Sequence, residues 1–301
     1  MSSETVEQDS GSKSGFVAII GRPNVGKSTL LNTLMGEKIS IVSSKPQTTR
    51  KRIRGILNLK EGQIIFVDTP GMHKPQHKLG ERMLKEATES LSEVDVIIFV
   101  IDNEIRKKAD SRIIEMLKQV NKPVILVINK IDLIKKSKIL TIIDEFRKLY
   151  DFREIIPLSA LDSSDVQILL RCLLRYLPKG PRYYDEDITT DQYVRSMVSD
   201  IIREKILQKT EEEVPHSVAV DVTDWLERED GTLSISADII VEREGQKAII
   251  IGAKGIMIKN IGTLARKEIE ELTGRKVFLE LWVKVRKNWR ENEKILKELG
   301  Y

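Results

Sequence analysis

"GRPNVGKSTL", Gly21 to Leu30, stands between the apolar run "FVAII" and the segment "LNTL". A short run rich in Val and Ile reads as a buried strand, and the apolar residues after Lys27 fall at helical spacing. The glycines therefore occupy a strand-to-helix turn. Such a turn directs successive backbone N–H groups and the positive end of a helix at one point, a receptor for phosphate oxygens. Gly21, Gly26, Lys27 and Ser28 spell G-x-x-x-x-G-K-S in the setting that motif requires. Gly21, Arg22, Pro23, Asn24, Val25, Gly26, Lys27, Ser28 and Thr29 thus form a candidate phosphate cradle. Lys27 supplies a point charge for the outer phosphates, and the Ser28 hydroxyl is a candidate Mg2+ ligand.

A cradle does not choose its base. "NKID", Asn129 to Asp132, ends the strand "PVILVI" on the same sheet edge, with Asn129, Lys130 and Asp132 as candidate base contacts. An ionised Asp132 is acceptor-only, so its two oxygens match the adjacent N1–H and amino donors of guanine, a pair that adenine lacks. A carboxylate left unpaired in such a site is costly, which rejects adenine. "DTPG" follows "QIIFV": Asp68 is placed to hold Mg2+ and the Gly71 N–H to meet a γ-phosphate, with Thr69 and Pro70 completing the turn. Between cradle and turn lies "QTTR", where Thr49 is the first candidate for the metal and γ-phosphate and Thr48 the second. "SAL", Ser159, Ala160 and Leu161, ends "EIIPL", and its backbone is a candidate contact for the guanine carbonyl.

Composition bounds the rest. The chain has 301 residues, 41% hydrophobic, enough for two cores, and 50 Lys+Arg against 46 Asp+Glu leave a net charge of only +4. Net charge alone therefore does not identify a nucleic-acid binder. Residues 1–14 are polar and read as a disordered leader, without the basic start and apolar middle of a secretion signal. No apolar run approaches the roughly 20 residues needed to span a bilayer. The single cysteine, Cys172, has apolar neighbours and reads as a core thiol, and a reducing cytoplasm fits.

From residue 15 to 180, strands alternate with amphipathic helices, the pattern of a doubly wound α/β domain with a mostly parallel sheet. "PKGPRYYDEDITT" (178–190) has two prolines, a glycine and an acidic cluster, and places a linker at 181–190. Over 191–285 the order is helix, two alternating strands, a helix and a closing strand, an α+β domain. Residues 286–301 read as a basic C-terminal helix in which Trp289 is a possible stacking ring among Arg286, Lys287, Arg290, Lys294 and Lys297. Within the second domain Gly252, Ala253, Lys254 and Gly255 form G-x-x-G, with Lys259 on the following helix: candidate contacts to the backbone of a single strand of RNA. Ile256 and Ile258 read as groove or core. Arg50, Lys51, Arg52 and Arg54 in "RKRIR" read as solvated or RNA-facing rather than catalytic.

Taken together, "GRPNVGKST", "QTTR", "DTPG", "NKID" and the G-x-x-G resemble the Era family of bacterial GTPases, over nearly all of residues 16–285. The resemblance implies a P-loop GTPase domain followed by a type II KH domain. In it the segment "QKAIII" before G-x-x-G is a short helix, although its periodicity reads as strand. It implies Mg2+-dependent hydrolysis of GTP to GDP, with Lys27, Thr49, Asp68, Gly71 and Asn24 in the catalytic set and Ser28, Thr49 and Asp68 on the metal. Asn24 matches the P-loop asparagine that helps bind K+ in some relatives. The implied partner is the 3′ end of small-subunit ribosomal RNA, and the implied role is maturation of that subunit in the cytoplasm, with a peripheral contact to the inner face of the cell membrane. Met72 stands where many relatives of Ras carry a water-orienting glutamine, so slow intrinsic turnover is expected. The alternatives are a GTP-dependent module whose KH-like domain grips protein or membrane, and an ATP-using kinase, against which Asn129 and Asp132 speak.

Overall fold

The computed structural model describes residues 11–104 and 107–301, and the chain divides into two compact units. The first comprises the residues up to Ser40, Thr49–His73 and Met83–Asp191; the second gathers Ile41–Thr48, Lys74–Arg82 and Gln192–Tyr301.

In the first unit the strands are β1 (Lys13–Gly21), β2 (Ile53–Leu59), β3 (Gly62–Asp68), β4 (Val96–Ile101), β5 (Val124–Ile128) and β6 (Glu154–Pro157), in sheet order β2-β3-β1-β4-β5-β6. β2 runs antiparallel to β3, and the other pairs are parallel. The helices are α1 (Lys27–Met35), α2 (Lys78–Glu93), whose first residues belong to the second unit, α3 (Lys107–Leu117), α4 (Lys136–Arg147) and α5 (Ser163–Tyr176). Continuous apolar strands demand cover on both faces, and they receive it: Val17 and Ile19 of β1 pack with α1 and α5, Ala18 and Ile20 with α2, α3 and α4. All six residues of β4 are buried. Each such Val or Ile contributes about 1.5–3 kcal/mol relative to exposure. Cys172 is buried on α5, and the cost of ionising it there raises its thiol pKa.

One expectation needs correction here. Lys13 and Ser14 belong to β1 rather than to a leader, while residues 1–10 lie outside the described residues. β2 was not foreseen. Residues 181–190 run beside the first unit's sheet: Ile56 N donates to Thr189 O at 2.8 Å, the Thr190 hydroxyl to Arg54 O at 2.7 Å, and Tyr183 and Tyr184 N to Gln63 Oε1, so they border β2 and β3.

The second unit contains α6 (Val194–Lys209), α7 (Val214–Ser217), β7 (Ala219–Glu227), β8 (Leu233–Val241), α8 (Glu244–Ile251), α9 (Ile256–Thr273), β9 (Val277–Val285) and α10 (Glu293–Glu298). β7 and β8 are antiparallel, and β8 and β9 parallel, which the α8–α9 crossover permits. "QKAIII" is helical, as the resemblance implied and against its local periodicity. The basic C-terminal helix is shorter than expected: residues 289–291 form a 3-10 turn, and only Glu293–Glu298 is α-helical. Trp289 is fully buried, donates Nε1–H to Ser217 O at 2.8 Å and stacks on Tyr301, so it is a core residue and not a ring for bases. Among the described residues no single helix is long and apolar enough to cross a membrane.

Candidate functional site

β1 lies at the centre of its sheet, where successive strands depart to opposite sides, and the crevice beyond its C-terminal end is where open α/β sheets bind ligands. The chain leaves β1 at Gly21 and enters α1 at Lys27. Lys27 is buried, and its Nζ donates to the carbonyls of Arg22 (3.0 Å) and Gly21 (3.2 Å), so the loop curls around its own ammonium. Burial lowers the Lys27 pKa to about 8, opposed by attraction to Asp68 and assisted by repulsion from Arg22.

Four oxygens converge beside it. Asp68, wholly buried at the end of β3, accepts through Oδ2 from the hydroxyls of Ser28 (2.9 Å), Thr49 (3.1 Å) and Ser40 (3.2 Å), and the Ser28 and Thr49 hydroxyls lie 2.8 Å apart. Its Oδ1 is buried and accepts no hydrogen bond among the described residues. Burial raises the Asp68 pKa, against the attraction of Lys27 and the hydroxyl donors. A hard, all-oxygen set with one unsatisfied carboxylate oxygen fits Mg2+, which takes one or two carboxylates and completes its octahedron with water and phosphate. Of the two threonines weighed, Thr49 is in this set; the Thr48 hydroxyl donates to Lys45 O at 2.7 Å.

Asn129 is the fastener of the base side. Buried at the end of β5, it donates Nδ2–H to Val25 O, while Oδ1 accepts from Lys130 N and Ala160 N, each at 2.8 Å. One side chain thereby links the cradle to "NKID" and "SAL". Lys130 Nζ reaches Asn24 O at 2.7 Å, and Asn24 itself has φ 65°. Asp132 is exposed in a 3-10 turn. Ser159 N is held by Asp165 Oδ2, Ala160 O accepts from the Thr33 hydroxyl, and Leu161 is exposed.

The structure also reassigns several side chains. The Arg22 guanidinium leaves the cradle and pairs with Asp102 (2.8 Å) and Asp110 (2.7 Å), all three buried, so only its backbone is available to phosphates. Nothing in the local sequence pairs residues 80 and 88 positions apart. Thr69 is buried and donates its hydroxyl to Ile19 O, and Gly71 packs against Pro23. Met72 donates N–H to Gly21 O at 3.1 Å, and its side chain is buried in the apolar cluster under α2. Arg50, expected in solvent, is buried; Arg52 and Arg54 pair with Glu93 and Asp191.

In the second unit G-x-x-G joins α8 to α9. Gly252 (φ 71°), Lys254 (φ 50°) and Gly255 (φ 77°) all have positive φ. A Cβ on Gly252 would meet Met257 Cβ at 2.6 Å, whereas one on Gly255 would meet nothing within 4 Å. Gly252 is therefore needed for packing, and Gly255 leaves an open approach to the backbone. Ala253, Lys254 and Lys259 are exposed, as are Ile249 and Ile256; Ile258 is partly buried in the core.

The ammonium carries a pH prediction. Polyphosphate beside Lys27 favours its protonated form, so above pH 8 binding requires proton uptake. GDP affinity is expected to be level between pH 6.5 and 7.5 and to weaken above pH 8 with a slope approaching tenfold per unit. Fluorescence titration across pH 6.5–9.5 checks this.

Two family models match, "50S ribosome-binding GTPase" over residues 16–130 and "KH domain" over residues 213–290. The GTPase Era of Ruminiclostridium cellulolyticum is 52% identical over 290 residues, covering 96% of this chain and 97% of that one. The GTPase Era of Clostridium kluyveri is 51% identical over the same length. A crystal structure of Era with MgGDPNP and nucleotides 1506–1542 of 16S ribosomal RNA superposes with TM-score 0.94 at 46% identity, covering 96% of this chain and 99% of that one. An Aquifex aeolicus Era variant bound to GDP and tetrafluoroaluminate superposes with TM-score 0.92 at 45% identity and the same coverage. With identities of about half over nearly the whole length of these relatives, the chain belongs to the Era family of GTPases.

Proposed function

We propose that this chain is a GTP-hydrolysing switch that binds single-stranded RNA, the 3′ end of small-subunit ribosomal RNA, and assists maturation of the small ribosomal subunit in the cytoplasm. The convergence of Lys27, Ser28, Thr49 and Asp68 at the end of β1 and β3 carries the reading. Lys27 and the cradle amides bind the β- and γ-phosphates and stabilise charge as water displaces GDP from the γ-phosphoryl, giving GDP and phosphate. Ser28, Thr49 and Asp68 would hold Mg2+, which would supply positive charge to the phosphate oxygens. Asp132 selects guanine by accepting from the base's adjacent N1–H and amino donors, and Asn129 keeps that loop in register with the cradle. Met72 follows Gly71 and is buried in the core, so position 72 supplies no group to orient water and slow intrinsic turnover is expected.

Asn24 supports a second ion. We expect K+ near the phosphates to speed turnover, an effect read by comparing rates in matched KCl and NaCl; equal rates exclude it.

For the RNA end, Gly255 gives phosphate an unobstructed path, Lys254 and Lys259 supply charge, and exposed Ile249 and Ile256 offer an apolar bed for bases. The relative solved with 16S ribosomal RNA supports the choice of ligand. The test uses the intact chain. Calorimetry should give GTP at least about a hundredfold tighter than ATP. An oligonucleotide copying the 3′ end of small-subunit rRNA should bind the wild type and lose about tenfold or more in Gly255→Asp, which adds a like charge at a left-handed position. Tighter ATP binding overturns the nucleotide reading. RNA binding that is absent, or unchanged in the variant, favours the alternative of a domain that grips protein or membrane.

A further inference from the structure

Arg203, on α6, is buried, yet its guanidinium serves no apolar purpose. On one side Nε and NH2 contact Asp200 Oδ1 at 3.3 and 2.9 Å; on the other NH2 donates to Thr48 O and NH1 to Gln47 O (3.4 Å). The next residue, Glu204, accepts Val42 N–H through Oε1 at 2.8 Å. Its Oε2 takes Lys205 Nζ, which also bridges Glu268 of α9. Two consecutive residues of one helix thus grip both ends of the segment 42–48, all inside the second unit. Gln47 has φ 63°, a conformation that non-glycine residues keep when their surroundings impose it.

The Thr48 carbonyl shares its peptide plane with the nitrogen of Thr49, whose hydroxyl stands 2.8 Å from Ser28 Oγ and 3.1 Å from Asp68 Oδ2. We propose that Arg203 is a positioning residue for GTP hydrolysis: by fixing the Thr48 carbonyl it sets the orientation in which Thr49 meets the metal-side oxygens. This rests on the reading of Ser28, Thr49 and Asp68 as the Mg2+ and γ-phosphate site. A guanidinium suits the task because its planar fork spans two neighbouring carbonyls, whereas an ammonium engages as a point charge.

The test compares wild type, Arg203→Gln and Arg203→Lys as intact chains, reading kcat, GDP affinity, melting temperature and amide hydrogen exchange across residues 43–52. GDP lacks the γ-phosphate, so its affinity is expected to stay within about twofold. The kcat of Arg203→Gln is expected to fall about tenfold or more, the scale of a lost charge-assisted hydrogen bond, with partial return in Arg203→Lys. Exchange in 43–52 is expected to quicken without nucleotide. Unchanged kcat and exchange in Arg203→Gln overturn the proposal, as does a parallel fall of kcat and GDP affinity, which marks general damage. Should Arg203→Gln not fold, Asp200→Ala removes the brace behind the guanidinium, and unchanged exchange in 43–52 then overturns it. A wild type that does not hydrolyse GTP defeats the functional reading instead, leaving the exchange result to report on Arg203 alone.

Discussion

Replacing Lys27 by methionine is expected to lower GTP turnover by about a thousandfold while leaving the fold intact or more stable. In the proposed site the ammonium meets the negative charge that gathers on the γ-phosphoryl and the leaving diphosphate, and removing one preorganised donor from such a site costs about 10²–10³ in rate. Loss of a full charge belongs at the upper end. Stability moves the other way. Burial holds the Lys27 pKa at about 8 against 10.5 for an ordinary lysine. Below pH 8 the group is charged in both folded and unfolded chains, and the folded state bears the whole penalty, on the order of 3 kcal/mol. Between pH 8 and 10.5 the unfolded chain binds more protons, so the penalty is relieved as pH rises. Lys27→Met should therefore melt higher than wild type at pH 7 in the absence of nucleotide, and the gap should close towards pH 10.5. Phosphate release under single turnover and urea unfolding at several pH values check the two halves. Turnover within tenfold of wild type would place the reacting phosphate elsewhere.

Gly26→Ala is expected to abolish useful nucleotide binding by a different route. Gly26 has φ 97°, and a Cβ there would lie 2.2 Å from Asn129 Nδ2. A flexible side-chain end can often step aside, but this one is buried and bound to Val25 O, with its amide oxygen fixed by Lys130 N and Ala160 N. Moving it leaves buried polar groups unsatisfied at about 1–3 kcal/mol each, with left-handed strain at residue 26 besides. Destabilisation of about 2–4 kcal/mol is expected, with GDP and GTP affinity falling more than a hundredfold. Denaturant melts and calorimetry measure both. Normal affinity would mean that the cradle and the guanine side do not depend on Asn129.

The parts legible in the sequence were those whose chemistry is local. G-x-x-x-x-G-K-S, "DTPG" and "NKID" carry their own backbone requirements, and the β4 and β5 runs are apolar throughout because both faces are covered. The resemblance added what periodicity misread, the helix at residues 244–251. Long-range pairing stayed hidden. Arg22 looked like part of a phosphate loop until Asp102 and Asp110 were brought to it. Arg50 and Trp289 looked like surface residues because neighbouring charges suggested solvent, and the three-dimensional packing buries both. Strand β2, "IRGILNL", interrupts its apolar pattern with Arg54, Gly55 and Asn58, so neither helix nor strand period dominates.

The division of the chain has a practical corollary for dissecting this protein. Residues 42, 47 and 48 hydrogen-bond with Arg203 and Glu204, and residues 77, 78 and 82 with Arg290, Glu291, Glu293 and Tyr301. A stop codon after Asp191, the obvious place to excise the nucleotide-binding half, would strip both segments of those partners. Rate constants gathered on such a fragment would characterise severed segments, and the chain carrying both units is the proper reference for its enzymology.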